Sequence, residues 1–467
     1  MRKTLLKFLL SAVILLVAIF GLSEALELRI GPIWVFLGII LASSLLVALV
    51  KFPAAFIVPI LFISRGMELP VPAALHGLIH LEALSVGVGL LGAACFLRLL
   101  SLCSDRQSSI GDLFRNRGKA ILIFGLFAAV VTISYTYTRA PLYGSDKLWS
   151  FLIIGGLSFF APFILLREEK DFRHFALATM GLGLLLVPGR LMSVSHGSVG
   201  PGENVVHIGI GQLIGLALLL VMSFRFSESR LVKFLVLLSL PVLAAGLIAA
   251  EARAPLFALL LVLGAFTFTR QGRQLLISSR LTLIGIAAIV AAAVVIPAFW
   301  FRGDAAAKYR AKTEEVVGFT NGTWSDQTSG GRRLVLAAAA LDGIADKPII
   351  GWGVGGWSTY YAHDDAWQYP HNLFLEVWLE EGLLGLAALA ALLWMAFKAA
   401  KRAFDEASGR FAFVLPALAY CLLITMTSGD IDDNRFLWFW CGVALVAYRM
   451  IGTDRQEELS ANSASVS

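Results

Sequence analysis

Apolar residues in this 467-residue chain gather into long runs; they do not alternate with polar ones. Runs of about 16 to 25 residues recur, a length that matches a hydrocarbon core of roughly 30 Å. They are too long and too uniformly apolar for the ten-residue alternation of a membrane barrel, so they are helices. The pattern predicts spans near 5–22, 33–50, 52–64, 82–100, 120–137, 149–166, 174–188, 207–224, 234–250, 254–269, 281–299, 373–397, 411–427 and 436–450. The 52–64 run is short and holds Pro53 and Pro59. It can be a tilted or re-entrant piece, although letting it cross keeps the charge pattern consistent. One long polar passage, Trp300 to Glu381, interrupts the series.

The pattern therefore predicts an all-α polytopic membrane helical bundle, with about 12–14 transmembrane helices and one large helical loop. Residues 1–299 form an N-terminal transmembrane region and 300–372 the loop. Residues 373–450 form the C-terminal transmembrane helices, and 451–467 a polar tail expected to be disordered and cytoplasmic.

Composition sharpens this. Hydrophobic residues make up 58% and charged residues 15%, and the mean hydropathy is +0.80. A soluble domain could not cover its surface with so few polar groups. The net charge of +6 does not mark a nucleic-acid binder. About two dozen of the 38 Lys and Arg fall in loops on one side, which is the signature of cytoplasmic loops. That asymmetry places the Trp300–Glu381 loop outside. The first span is long for a signal-peptide core and lacks a small-x-small cleavage site, so it reads as a signal anchor. Cys95, Cys103, Cys421 and Cys441 have no disulfide or zinc spacing.

Within the loop, Thr328 and Ser329 can cap a helix from about Arg332 to Ala345, with Pro348 as its stop. Glycines at 351, 353, 355 and 356 then predict a tight turn. His371 stands in Pro370-His371-Asn372, where the loop re-enters the membrane. Histidine is the side chain best suited to proton transfer near neutral pH, and a structural or capping role is the alternative. Asn372 can cap the helix behind it. Glu376 and Glu380 share a face of its first turns, where they can orient an Arg or the His, or simply suit the helix dipole.

Several short outer loops carry one isolated arginine: Arg139, Arg190, Arg253 and Arg435. Each could snorkel to the headgroups. Several converging with Arg332 and Arg333 would instead hold a lipid diphosphate and neutralise it as a leaving group. The spans themselves carry almost no interior charges or broken-helix pairs, and no internal repeat is visible. Both points argue against a transporter.

Weaker patterns have plainer readings. Gly351-x-Gly353-x-x-Gly356 matches the dinucleotide fingerprint but has no strand before it. His76 and His80 could share a metal with Glu82 but lack a further ligand. Asp430 and Asp432 read as a solvated loop. Trp352, Trp357, Tyr360, Tyr361, Trp367 and Tyr369 could stack on sugars or form an interfacial belt.

The stretches GRRLVLAAAALDGIADKPIIGWGVGGW and PHNLFLEVWLEEGLLGL resemble the signature region of the O-antigen ligase and polymerase family of bacterial inner-membrane proteins. The likeness is specific over about Gly331 to Leu386. Arg253, the Arg190 region and NRFLWFWCGVAL support it, and the first 180 residues match only as apolar spans. The resemblance implies a metal-independent, cofactor-free, inverting glycosyl transfer on the periplasmic face. The donor would be a glycan on undecaprenyl diphosphate, and the acceptor the lipid A core for a ligase or another lipid-linked glycan for a polymerase. It also implies Arg190, Arg253 and Arg333 or Arg332 as diphosphate ligands and His371 as the base, all lining one outward cavity. One departure is Ala252-Arg253-Ala254-Pro255, where the family commonly has Ser-Arg-Gly. The Arg is kept and the hydroxyl lost. Ligase is the favoured reading. Polymerase, transfer to protein, and a lipid-linked oligosaccharide transporter are the alternatives.

Overall fold

The computed structural model describes residues 43–62, 83–104, 118–196, 203–223, 230–269, 280–299, 328–406 and 411–466, with a few positions between 301 and 314. The predicted span 5–22 and the His76, His80 and Glu82 group lie outside the described residues. Every regular element among those described is helical, as the apolar runs require.

The helices are α1 (Ser43–Lys51), α2 (Ile57–Phe62, led by a 3-10 turn Pro53–Phe56), α3 (Ala83–Ser104) and α4 (Gly118–Ser134). Next come α5 (Pro141–Leu165), α6 (Glu169–His196), α7 (Glu203–Ser223), α8 (Arg230–Ala249), α9 (Arg253–Thr267) and α10 (Arg280–Phe299). The loop helix is α11 (Ser329–Asp346). It is followed by α12 (Leu373–Glu406), α13 (Val414–Thr425) and α14 (Arg435–Val466).

Six of these helices are long and apolar enough to cross a membrane, and a seventh span is possible if the bent α1–α2 pair counts as one. Shorter apolar helices lie at Ile208–Ser223, Arg253–Thr267, Leu283–Phe299 and Val414–Thr425. Several spans are apolar all round, as membrane helices are, and side chains such as Leu122, Leu185 and Val294 stand exposed on them.

The packing has two parts. In one, α12 and α14 pack on each other, α12 against α4, and α14 against the second half of α5. Phe124, Phe127 and Phe151 surround Trp438 of α14, with ring centroids 5.7 to 6.4 Å away. A Cβ at Gly442 would collide with the carbonyl of Phe159, so glycine is what lets α14 approach α5 so closely. In the other part, α6, α7, α8 and α10 pack together, and α13 joins the two by touching α7, α9, α12 and α14.

Three features differ from the sequence reading. The 52–64 run does not cross by itself. One residue, Phe52, separates α1 from Pro53, and the chain bends by 108° there. The second arm is ten residues of helix and turn, which rise roughly 15–20 Å and fall short of the hydrocarbon core. The spans also hold charges and a break. Lys147, Glu376, Glu380 and Glu381 are buried inside them, and α12 has a non-helical residue, Gly382 (φ 69°, ψ −165°). The polar 451–466 segment continues α14 as helix to Val466 instead of leaving the bundle disordered.

The break in α12 is sealed by the glycine turn. Carbonyls of Leu379 and Glu380 accept from the amides of Trp352 and Gly353 (both 2.8 Å), and the Leu383 amide donates to Pro348 and Ile349 (3.0 and 3.1 Å). Gly351, Gly353 and Gly355 all have positive φ, and a Cβ on Gly351 would meet the Glu380 carbonyl. The fingerprint-like glycines thus serve close backbone approach to a broken helix.

Candidate functional site

A cavity of about 730 Å³ lies where α7, α11, the segment before α12 and the α13–α14 connection meet. It is the size of a typical ligand pocket. Arg332, Arg333, Arg435 and His371 line it together with Gln212, Asp433 and Asn434.

The two arginines of α11 come first in the chain of causes. Thr328 has extended backbone, and its hydroxyl accepts from the Gly331 amide at 3.1 Å, starting the helix as expected. Arg332 and Arg333 therefore sit in the first turns. Positive charge there opposes the helix dipole, but the same dipole adds to the arginines in attracting an anion. Arg435 opens α14. It is buried, with Nη1 donating to the Ile60 carbonyl at 3.0 Å and Nη2 to Asp433 Oδ1 at 3.3 Å. The bent α1–α2 pair thus supplies a carbonyl that holds one cation of the cavity.

His371 precedes α12 with left-handed backbone (φ 59°), a conformation rare outside glycine and common at functional sites. Asn372 caps the helix: its Oδ1 accepts from the amides of Phe374 and Leu375 (3.0 and 3.2 Å), and its Nδ2 donates to Met426 O (3.3 Å). The Tyr369 ring meets the imidazole edge-on at 4.4 Å. Among the described residues, nothing hydrogen-bonds His371 Nδ1, which is buried. Burial, then the nearby Arg333 and Arg332, push the imidazole down to about 4, with Asp430 pulling the other way. At neutral pH it is an uncharged acceptor of protons. Burial first, then Asp433 and Asp430, raise the Tyr369 phenol.

The expected arginines divide into two groups. Arg332 and Arg333 share the cavity with His371. Arg190 and Arg253 are not among its lining residues. Arg190 is buried, with Nη2 donating to Ala249 O at the end of α8 (3.3 Å). Arg253 begins α9 just after Glu251, another left-handed residue (φ 55°). A Cβ on Gly211 would sit 3.0 Å from Ala252 and 3.2 Å from Pro255, and its neighbour Gln212 faces the cavity. The segment around Arg253 therefore packs closely on α7 at Gly211. Arg139 stacks on Trp352, 5.8 Å from its ring centre.

Glu376 and Glu380 are not among the cavity-lining residues and pair elsewhere. Lys147 of α5 lies 2.7 Å from Glu376 Oε1, 2.6 Å from Glu380 Oε2 and 2.9 Å from Asp430 Oδ1, all fully buried. Tyr143 donates to Asp430 Oδ2, and the Ile431 amide donates to Glu376 Oε1 (2.9 Å) and Asp430 Oδ1 (2.7 Å). Asp430 and Asp432, read as a solvated pair, are buried. Burial pushes the Asp430 carboxyl up, yet Lys147 and hydrogen bonds with Glu376 and Tyr143 hold it below the usual carboxylate range. Among the described residues no three His, Cys, Asp or Glu side chains are arranged to hold a metal.

The aromatics also divide. Trp357, Tyr361, Trp367 and Tyr369 line the cavity. Trp352 and Tyr360 pack beneath α11 with Leu336, Ala340 and Ile344.

Lys147 and Tyr143 carry no motif, and sequence reasoning missed them. The one signal was a lysine at the edge of a span on the side opposite the basic loops. Arg435 was visible but not placed with the others.

These observations define a polytopic helical membrane protein with a cationic, aromatic cavity and a neutral histidine at its wall. Residues 234–390 match the family model described as O-antigen ligase, which identifies that stretch of the chain as an O-antigen ligase domain. The match includes Arg253, Arg332, Arg333, His371, Glu376 and Glu380; Lys147, Arg190, Asp430 and Arg435 fall outside it. No curated protein matches the chain.

Proposed function

We propose that this protein is an inverting glycosyltransferase at the periplasmic face of the bacterial inner membrane, moving a glycan from undecaprenyl diphosphate to the lipid A core. The observation that carries the reading is the meeting of His371 with Arg332, Arg333 and Arg435 at one cavity, beside the domain match. The guanidinium groups bind the donor diphosphate in bidentate fashion and keep their charge at any accessible pH. His371 takes the proton of an acceptor hydroxyl. That oxygen attacks the anomeric carbon opposite the diphosphate, the carbon–oxygen bond to phosphate breaks, and the electron pair leaves on the diphosphate. The arginines stabilise the charge that builds there.

An imidazole pushed down to about 4 is a weak base. A bound diphosphate offsets Arg332 and Arg333 and makes the imidazole more basic, so proton transfer becomes favourable only when the donor is in place. We assign Arg190 and Arg253 to the same donor, as a second cationic group outside the cavity lining.

The test is transfer by the purified protein between undecaprenyl-diphosphate glycan and lipid A core, without added metal. Glycan should appear on the core, and His371→Ala should lower the rate about 10²–10⁴-fold. Arg253→Ala should raise the donor KM; an unchanged KM would confine the donor to the cavity arginines. Longer lipid-linked chains in place of a modified core would show a polymerase. No transfer, with glycolipid carried across liposomes, would show a transporter.

A further inference from the structure

Lys147 takes no part in the chemistry just described, yet three carboxylates converge on it, and all four groups are fully buried. A buried ion cluster contributes little net stability compared with apolar residues of the same volume. What this cluster supplies is fixed geometry between two segments. Glu376 stands on the first turn of α12, just after His371, and Asp430 stands on the α13–α14 connection, just before Arg435. The same two segments are joined by the Ile431 amide to Glu376 Oε1 at 2.9 Å and by Asn372 Nδ2 to Met426 O at 3.3 Å. Tyr143, on the same helix as Lys147, holds the far oxygen of Asp430.

His371 has little hold of its own. Its Nδ1 has no hydrogen-bond partner among the described residues, and its backbone is left-handed. Tyr369 packs edge-on against its ring, and its backbone runs directly into the Asn372 cap and the turn that bears Glu376.

We propose that Lys147 is a positioning residue, clamping the segment that bears His371 to the segment that bears Arg435 and so fixing the proton acceptor against the cavity's cations. This rests on the glycosyl-transfer reading of the cavity. The charged and titratable groups around His371 are Arg332 and Arg333 from α11, Tyr369 from its own segment and Asp430 from the α13–α14 connection. Asp433 and Arg435 line the same cavity.

The experiment uses full-length protein in detergent and the triple variant Lys147→Met, Glu376→Gln, Glu380→Gln. This variant opens the clamp and leaves Asp430 with Tyr143 and the Ile431 amide. Two quantities are read: transfer kinetics, and the rate of His371 carbethoxylation by diethylpyrocarbonate against pH, followed by mass spectrometry. The folded variant should lose about 10²-fold in kcat, the cost of a misplacement near 1 Å, with a smaller rise in donor KM because Arg435 keeps its bonds to Ile60 and Asp433. The midpoint of its His371 modification should move up from about 4 as the ring leaves its buried place. Glu376→Asp, which keeps the charge and shortens one arm, should show both effects to a smaller degree, and it serves alone if the triple variant does not fold. Wild-type kcat in the folded variants, or an unchanged modification profile, overturns the clamp. Absence of transfer by the wild type overturns the glycosyl-transfer reading instead, and the modification profile then decides the clamp by itself.

Discussion

Lys147 and Arg333 are both cations in a chain that is 58% hydrophobic, and the fold treats them in opposite ways. Lys147 is sealed among three carboxylates at 2.6 to 2.9 Å, out of reach of solvent. Arg333 is half-buried beside Arg332 at the N-terminus of α11, facing an open cavity. In the first place the opposite charge is built in and the geometry is closed. In the second, two guanidinium groups stand where the helix dipole disfavours them and where an anion would be welcome. Charge sealed inside a cluster maintains shape, and several cations lining one cavity mark where a ligand of opposite sign belongs.

The comparison breaks most readily at the closed site. Lys147→Met alone leaves three buried carboxylates without their cation, and loss of one partner from a buried ionic group costs about 3–5 kcal/mol. Thermal unfolding in detergent should show a large drop or no folded protein, and a variant as stable as wild type would remove the distinction. At the open site, Arg333→Ala should weaken donor binding by about 1.5–3 kcal/mol, the range for a hydrogen bond to a charged group. The ligand-free protein should lose less stability than Lys147→Met does. A matching fall in stability would make Arg333 structural as well.

Gly382→Ala tests the break in α12. Its φ is +69°, and a Cβ would collide with the Ile349 carbonyl, so destabilisation above about 1 kcal/mol is expected. The smallest effect is in pH. Activity needs neutral His371, so it falls as pH drops through the imidazole pKa. The acid limb of kcat/KM should lie near 4, that of kcat higher because bound diphosphate offsets the arginines, and Arg333→Ala should move the kcat/KM limb upward. Coincident limbs would remove the coupling between anion and base.

Much of the fold was legible because it rests on local signals. Apolar runs such as 120–137, 234–250 and 373–397 reappear in α4, α8 and α12. The Thr328 cap and the Asn372 cap form where their neighbours place them. The cavity was legible in part: His371, Arg332 and Arg333 meet there, whereas Arg190 and Arg253 are not among its lining residues. The Lys147 cluster was not legible, because it joins residues as much as 283 positions apart along the chain (Lys147 to Asp430), and such pairing leaves no periodicity. Glycine at 382 reads as ordinary helix packing until the turn that seals the break is seen. The 430–432 carboxylates look solvated in sequence because their cation lies on a distant helix.

The Lys147 cluster also constrains how each copy is made. Its lysine is synthesised and inserted early, and Glu380, one of its partners, arrives 233 residues later. Until then α5 carries an ammonium with none of these carboxylates beside it, in a setting where an unpaired charge is costly. The completed bundle is therefore signed off only when its last third has been threaded into place. A chain cut short before α12 is a different object in the bilayer, one whose unpaired lysine distinguishes it from the finished product.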